Sequence, residues 1–223
     1  MASTSDWAFY ERHFAKARLQ HYLTACGQDR ARAMQLYRWN VNLSAALWAS
    51  LAYFEVAFRN ALDARMQARH LRLNRSGHWI FDDYRELGRD AYGPRRHRQP
   101  YKDVVESIRR VRRNNKQLIP GQVISELPFG FWHQLISRKQ MHLWPDIAGA
   151  FPNAPDRSQE TIQRPVARIR EVRNRIGHHH RVRPQDAEAT FEDIVNVAGF
   201  LHVDLRDFIT DLSRVSYLLT QQP

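Results

Sequence analysis

The segment SAALWASLAYFEVAFRNALDARMQARH, residues 44–70, restricts the possible folds more than any other part of the 223-residue chain. Its apolar residues recur at helical spacing and cover most sides of the predicted helix. Other elements must surround such a helix, so we expect it at the centre of the protein, with Ser44 as its N-cap. Period-2 runs bounded by tight turns, which are typical of β-strands, are missing. The sequence therefore predicts an all-α fold, a helical bundle.

The rest of the chain also follows helical patterns, apart from a basic, partly irregular middle segment. SDWAFYERHFAKARLQHYLTACG (5–27) predicts one helix from a Ser-Asp cap to a terminal glycine, and DRARAMQLYRWN (29–40) a shorter one. Turn formers make the region before a basic helix at about 101–117 irregular, and LWPDIAGAFPNAP reads as a connector. We expect one domain over residues 1–223, comprising central helices (28–70), a basic loop and helix (71–118), helices leading to a candidate motif (121–182) and closing helices (185–219).

Positive charge gives the first indication of a partner. The chain has 34 Lys and Arg against 23 Asp and Glu, and only four of the 34 are lysine. Residues 85–116 hold 11 basic and four acidic residues, a local charge of +7. No amphipathic segment with a bare apolar face would anchor this charge to a membrane, so we expect a polyanionic nucleic acid and no membrane partner. The candidate nucleic-acid-binding residues are Arg95, Arg96, Arg98, Lys102, Arg109, Arg110, Arg112, Arg113 and Lys116.

Composition also indicates a compartment. The chain has no uncharged run of 18 residues, and its first residues lack the basic-then-apolar layout of a signal peptide. The single cysteine, Cys26, has no partner for an internal disulfide and is interpreted as a small packing residue. We therefore expect a cytoplasmic protein.

The stretch EVRNRIGHHHRV, residues 171–182, contains the most unusual arginine. At 100° per residue, one apolar stripe runs along the preceding helix, and Arg168 and Arg175 fall on its far side. Arg173 falls inside the stripe. Because burying a lone guanidinium is very costly, Arg173 must be paired or must face a polar cleft or interface. The stripe consists of Ile162, Val166, Ile169, Val172 and Ile176.

Residues beside Arg173 suggest proton-transfer chemistry. Asn174 and His178 are i,i+4 neighbours, so they share a face next to Arg173. Gly177 weakens a helix by about 1 kcal/mol, which makes sense where the chain turns or a substrate backbone approaches. A histidine at a helix C-terminus among arginines can act as an acid or base. The spacing of Arg and His alone is weak evidence, and a histidine-rich frayed helix end explains it equally well.

Two other interpretations concern metals and a buried charge pair. His178, His179 and His180 point in three directions on a helix, without Cys, Asp or Glu at ligand spacing, so we expect no metal and no cofactor. Glu55 and Arg59 stand at i,i+4 on the apolar helix and favour a buried ion pair. The alternative is that one or both support the Arg173/His178 cleft.

The aromatic residues of ELPFGFWHQL are interpreted as core residues rather than as platforms for base stacking. They are Phe129, Phe131 and Trp132.

Four stretches carry a resemblance to a known family. REVRNRIGHHHRV resembles the RN-x-x-x-H signature of the HEPN superfamily of helical ribonucleases. LYRWNVNLSAALWASLAYFEVAFRNAL (36–62), GHWI (77–80) and ISELPFGFWHQLI (124–136) resemble its Abi-like branch, the abortive-infection proteins of phage resistance. The stretches occur in the expected order, and FLHVDLRDFITDLSRV also looks like the C-terminus of that branch.

The resemblance implies a HEPN-type bundle that cleaves RNA without a metal. The ribose 2′-OH would attack the neighbouring phosphate and leave a 2′,3′-cyclic phosphate and a 5′-OH. His178 would be the acid/base, Arg173 would bind the phosphate, and Asn174 would orient the substrate or the histidine. Because the GHHH sequence departs from the usual pattern, His179 remains an alternative to His178.

The resemblance also implies partners. Since the chain holds one motif, a homodimer with a composite site is implied. Some Abi-like proteins are restrained by a small non-coding RNA, which would give the basic middle third a regulatory ligand as well as a substrate. A catalytically silent RNA-binding module and a helical scaffold of a defence system are the alternatives.

Overall fold

The computed structural model describes residues 7–223, and most of these residues lie in helices. Short 3-10 helices lie at Trp79–Phe81, Arg138–Leu143 and Ala148–Ala150. The described residues contain no β-strand, so the all-α prediction is confirmed. The α-helices are Trp7–Phe14 (α1), Lys16–Ala25 (α2), Arg30–Arg72 (α3), Tyr101–Arg113 (α4), Pro120–Glu126 (α5), Phe129–Leu135 (α6), Trp144–Ile147 (α7), Gln159–Gly177 (α8), Pro184–Leu201 (α9), Val203–Leu212 (α10) and Val215–Thr220 (α11).

The central helix α3 is longer than predicted. It runs unbroken for 43 residues, about 65 Å at 1.5 Å per residue. The prediction of two helices separated by a cap at Ser44 is wrong, because no glycine or proline interrupts residues 30–72. The N-cap is Asp29, whose Oδ1 accepts from the backbone N–H of Arg32 at 3.1 Å.

One side of α3 forms the centre of the core, as the sequence predicts. α2, α9 and α11 pack along it, and α8 packs on α9 and α6. The fully buried side chains of α3 include Leu43, Leu47, Leu51, Phe54, Phe58 and Leu62. Fully burying each such side chain contributes about 1.5–3 kcal/mol, so this side of α3 stabilises the bundle.

The opposite side of α3 is apolar and exposed. Val41, Trp48, Tyr53 and Val56 are each 40–50% exposed. An 18-residue window of α3 has a mean hydropathy of 1.3, so by length and composition α3 is one helix able to cross a membrane, with 33% of that window buried. The other side of α3 packs against α2, α9 and α11.

The N-terminal segment forms two helices instead of the single one predicted. The chain breaks at Ala15, which has a left-handed φ of 64°. The break lets the rings of α1 turn back onto α3, where Phe14 and Tyr37 lie 5.3 Å apart and Tyr10 and Tyr37 5.9 Å apart. The predicted Ser-Asp cap at residues 5 and 6 lies outside the described residues.

The middle third is irregular up to α4, as predicted. Within it, the buried carboxylate of Asp82 accepts from the backbone N–H groups of Leu87 and Arg89, each at 2.9 Å. Burial raises the pKa of Asp82 in spite of these bonds. α4 packs on α5 and ends at Arg113, four residues earlier than predicted. The predicted connector at 143–155 contains α7 and a 3-10 turn.

Candidate functional site

Helix α8 presents Arg173 as the sequence pattern predicts. The helix begins at Ser158, whose Oγ accepts from the backbone N–H of Thr161 at 3.2 Å. The five residues of the predicted stripe are all buried. Arg173 adjoins that stripe with its side chain 30% exposed, so it is half-buried at the edge of the core.

Arg173 is held from two sides by α3. Its Nε donates to Oε1 of Glu55 at 3.0 Å, and its Cζ lies 5.3 Å from the ring centroid of Trp48. Among residues 7–223, this is the one hydrogen bond made by its side chain, so the two terminal Nη groups have no hydrogen-bond partner there. The ion pair fixes the guanidinium while leaving its outer edge, the part that binds a phosphate or carboxylate in a bidentate manner, open to a ligand.

The expected Glu55–Arg59 ion pair is wrong. Glu55 pairs with Arg173, because the carboxylate lies where α8 crosses α3. Arg59 has a buried Nε without a hydrogen-bond partner. Both residues line a cavity of about 220 Å³, together with Trp48 and the buried Trp132. The alternative interpretation, in which Glu55 supports the Arg173 cleft, is therefore the one the geometry favours.

The predicted core role of the α6 aromatics is confirmed. Phe129, Phe131 and Trp132 are all buried, and Phe131 contacts Trp132 edge-on with centroids 5.0 Å apart.

The histidines follow the end of α8. His178 is exposed at the C-cap, and its backbone N–H donates to the carbonyl of Asn174 at 3.0 Å. The side chain of Asn174 is also exposed. The structure thus places Asn174 and His178 at the exposed end of the helix whose stripe carries Arg173.

The chain turns at His179, not at Gly177. Gly177 is the last residue of α8, whereas His179 has a φ of 55° in the left-handed region. The backbone N–H groups of His179 and His180 close the turn onto the carbonyls of Ile176 and Arg175, at 2.9 and 2.8 Å. A non-glycine residue in this region costs about 1–2 kcal/mol, so contacts of the surrounding chain must hold the turn.

Asn40 supplies such contacts, and sequence reasoning missed it. It is buried on α3, where its Oδ1 accepts from Tyr22 Oη at 3.1 Å and from the backbone N–H of Val182 at 3.3 Å. Its Nδ2 donates to the carbonyl of Val182. Burial raises the pKa of Tyr22 to about 12, so the hydroxyl stays a neutral donor. Arg18 also donates to the carbonyl of His179.

Replacement of Asn40 by alanine is expected to destabilise the protein by about 2–4 kcal/mol, because both backbone groups of Val182 would be buried without partners. Urea unfolding measures the change. Asn42→Ala, an exposed position on the same helix, is the control and should stay within about 0.5 kcal/mol. Equal effects at the two positions would contradict the role given to Asn40.

The basic surface belongs to α4 and the loop before it. Arg110 is engaged internally, with Nη2 donating to Ser107 Oγ at 3.1 Å and Nε 3.4 Å from Glu126 Oε2. Lys116 lies 3.5 Å from Glu126, and Arg109 lies 3.3 Å from Glu106. The exposed candidates without an acidic partner in residues 7–223 are Arg95, Arg96, Arg98, Lys102, Arg112 and Arg113.

Part of this surface is concave. A cavity of about 630 Å³ is lined by Arg95, Arg96, Lys102 and Arg109 with Tyr92, whose ring is exposed. The residues that line this cavity differ from those that line the cavity of Glu55 and Arg59.

No metal centre is formed by the described part of the chain. Within residues 7–223, no group of three or more His, Cys, Asp or Glu side chains is placed to hold a metal ion. Cys26 is a buried free thiol at the end of α2, as expected for a packing residue.

Comparison with known proteins gives a family. The family model of Abi-like proteins matches residues 3–183, which include α1 to α8 and the whole stretch from Glu171 to Val182. No curated protein and no solved structure shows a significant match. The matched residues are 181 of 223 and contain both Arg173 and the residues of α3 that hold it. This chain therefore belongs to the family of Abi-like proteins.

Proposed function

We propose that this protein is a metal-independent endoribonuclease of the HEPN type that acts in phage defence. Membership of the Abi-like family supports the role in abortive infection. The observation that carries the chemistry is the environment of Arg173. Its guanidinium is fixed by Glu55 and Trp48, its terminal N–H groups are unpaired among the described residues, and His178 lies exposed at the end of the same helix.

Arg173 provides the positive charge that phosphoryl transfer requires. A guanidinium binds two phosphate oxygens in its plane, and it gains affinity as negative charge develops on them in the transition state. Glu55 holds Nε, so the plane is oriented before the substrate binds. Trp48 lies against the face of the guanidinium and restricts its rotation. Preorganisation of this kind lowers the reorganisation needed during the reaction.

His178 moves the protons. As the bond between the 2′-oxygen and phosphorus forms, the proton of the 2′-hydroxyl passes to a neutral His178. As the bond between phosphorus and the 5′-oxygen breaks, the leaving oxygen takes a proton from a protonated His178 of a second copy. The products are a 2′,3′-cyclic phosphate and a 5′-OH, with no metal or covalent intermediate. Since the 2′-hydroxyl is the nucleophile, DNA is not a substrate.

The second copy is proposed to dock on the exposed side of α3. This surface includes Ala49, Tyr53 and Val56, without a charged residue among them. It lies beside Glu55 and Trp48, so a twofold contact through it would bring two Arg173/His178 pairs toward each other. Contiguous apolar surface of this kind is typical of protein interfaces.

A dimer is tested by substitution on this surface. We expect a solution mass of about twice 26.4 kDa by light scattering, and Ala49→Glu should reduce it toward the monomer and reduce cleavage with it. Ala31→Glu, at an exposed alanine near the start of α3, is the matched control and should do neither. A monomer with full nuclease activity would contradict the composite site.

The basic surface of α4 is proposed to bind the phosphates of substrate RNA and of a regulatory non-coding RNA. Arg112→Gln together with Arg113→Gln is expected to weaken RNA binding regardless of sequence. On single-stranded RNA, the slope of log affinity against log salt should fall by about 0.7 for each phosphate that the variant no longer neutralises. Titration of a labelled RNA at several salt concentrations measures this. Arg164→Gln, at an exposed arginine of α8, should leave the slope unchanged.

The nuclease proposal is tested with purified protein and RNA in EDTA. Cleavage with 2′,3′-cyclic phosphate and 5′-OH ends supports it. RNA binding without cleavage would instead favour a catalytically silent RNA-binding module. If there is no salt-dependent RNA affinity at all, a helical scaffold is the remaining interpretation.

A further inference from the structure

A cavity of about 1080 Å³ lies between α1, α2, α3 and the end of α8. It is separate from the cavity of Glu55 and Arg59, but Trp48 lines both. Trp48 also lies against Arg173, so the ring that lines this cavity contacts the guanidinium, although Arg173 itself lines neither cavity. We call the larger one the N-terminal cavity. A nucleotide whose phosphate is bound by Arg173 can extend past Trp48 into this cavity.

The lining of the N-terminal cavity combines rings with positive charge. Phe14, Tyr37 and Trp48 contribute aromatic surface, and each is at least partly exposed. Arg12 and Arg18 contribute charge from α1 and α2. No Asp or Glu is among the described residues that line it. This lining is complementary to a ligand with a flat ring and a negative charge.

We propose that the N-terminal cavity holds the base of the nucleotide next to the phosphate that Arg173 binds. The inference rests on the proposed nuclease function, since it extends the bound RNA from Arg173 into this cavity. The base lies against the aromatic surface, and the flanking phosphate faces the guanidinium of Arg12. Aromatic stacking accepts any base, so the cavity favours unpaired nucleotides over duplex and makes single-stranded RNA the substrate class.

The inference also gives the N-terminal helices a role. Ala15 turns α1 so that Phe14 and Arg12 face the cavity, and Arg18 ties α2 to the carbonyl of His179. The cavity wall and the turn that carries the histidines are therefore connected. A base bound against this wall lies next to the turn that follows His178.

Binding is measured without cleavage by using fluorescently labelled 2′-O-methyl hexanucleotides, which lack the attacking 2′-hydroxyl. One probe carries all its bases, and others lack one base at successive positions. We expect removal of one particular base to weaken binding to the wild-type protein about tenfold. Ser44→Trp, which fills the cavity from α3, should abolish the difference between those two probes. Arg12→Glu should weaken binding of the complete probe.

Controls separate this inference from the nuclease proposal. Lys16→Glu makes a similar charge reversal outside the cavity and should keep the tenfold difference. The inference is overturned if the affinity of the wild type does not depend on the presence of any base. It is also overturned if Ser44→Trp keeps the tenfold difference in affinity between the two probes. Both conclusions hold even when the protein cleaves RNA. If the difference is present but the protein does not cleave RNA, the cavity holds a base and the nuclease proposal fails. If Ser44→Trp changes only the solution mass, the cavity is a contact between protein copies and the inference is wrong.

Discussion

Replacement of His178 by alanine is expected to reduce RNA cleavage by about 10²–10⁴-fold, the usual contribution of a positioned acid or base. The side chain is exposed at the end of α8, so the bundle should remain folded. Initial rates on a labelled RNA in EDTA measure the loss, and circular dichroism checks the helix content. The binding of the uncleavable 2′-O-methyl probes should stay within about threefold of wild type, because proton transfer does not contribute to ground-state affinity.

Other histidines provide controls for His178. His142→Ala, at an exposed histidine of the 3-10 helix Arg138–Leu143, should leave the rate nearly unchanged. His179 lies at the turn with a left-handed φ, so His179→Gly removes the imidazole while accommodating the backbone. If His179→Gly removes activity and His178→Ala does not, the acid/base is His179 and our assignment is wrong.

Replacement of Arg173 by alanine is expected to lower cleavage by about 10²–10³-fold, as when one preorganised charge donor is removed from a transition state. Arg173→Lys should recover little of this loss, because an ammonium reproduces neither the bidentate edge nor the planar contact with Trp48. Cleavage rates at saturating RNA measure the effect. Arg164→Ala, at an exposed arginine near the start of α8, is the control and should keep the wild-type rate.

The variant Glu55→Gln distinguishes the positioning of Arg173 by Glu55 from a direct contribution of the Glu55 charge to cleavage. The amide can still accept from Nε of Arg173 but no longer carries a charge, so we expect a loss of about tenfold or less. A loss as large as that of Arg173→Ala would instead indicate that Glu55 takes part in the chemistry, contrary to its positioning role.

The sequence predicted those parts of the molecule that depend on local periodicity. The stripe from Ile162 to Ile176 is buried as expected, because a helix repeats its faces every 3.6 residues whatever its surroundings. The same geometry predicts Arg173 inside that stripe, whereas its side chain is 30% exposed in the structure because it turns toward Glu55. The sequence also predicted α3 at the centre of the core, but the expectation that other elements surround it is wrong for one apolar side, which stays exposed.

The parts that depend on tertiary contacts were not predictable. Glu55 was assigned to Arg59, four residues away, but it pairs with Arg173, 118 residues away. Asn40 contacts Val182 across 142 residues, and its only local sign was a polar side chain at a buried helical position. Ser44 has the preference of an N-cap, yet the helix passes through it because nothing in the sequence stops it.

The unbroken course of α3 has a consequence for how the site tolerates sequence change. Trp48 and Glu55 are seven residues apart, about two turns, so the two groups that hold Arg173 face the same direction. Insertion of a single residue between them would rotate one against the other by about 100° around the helix axis. The two side chains could then no longer contact the guanidinium at the same time. The length of this segment is therefore as much a property of the site as the identity of its side chains.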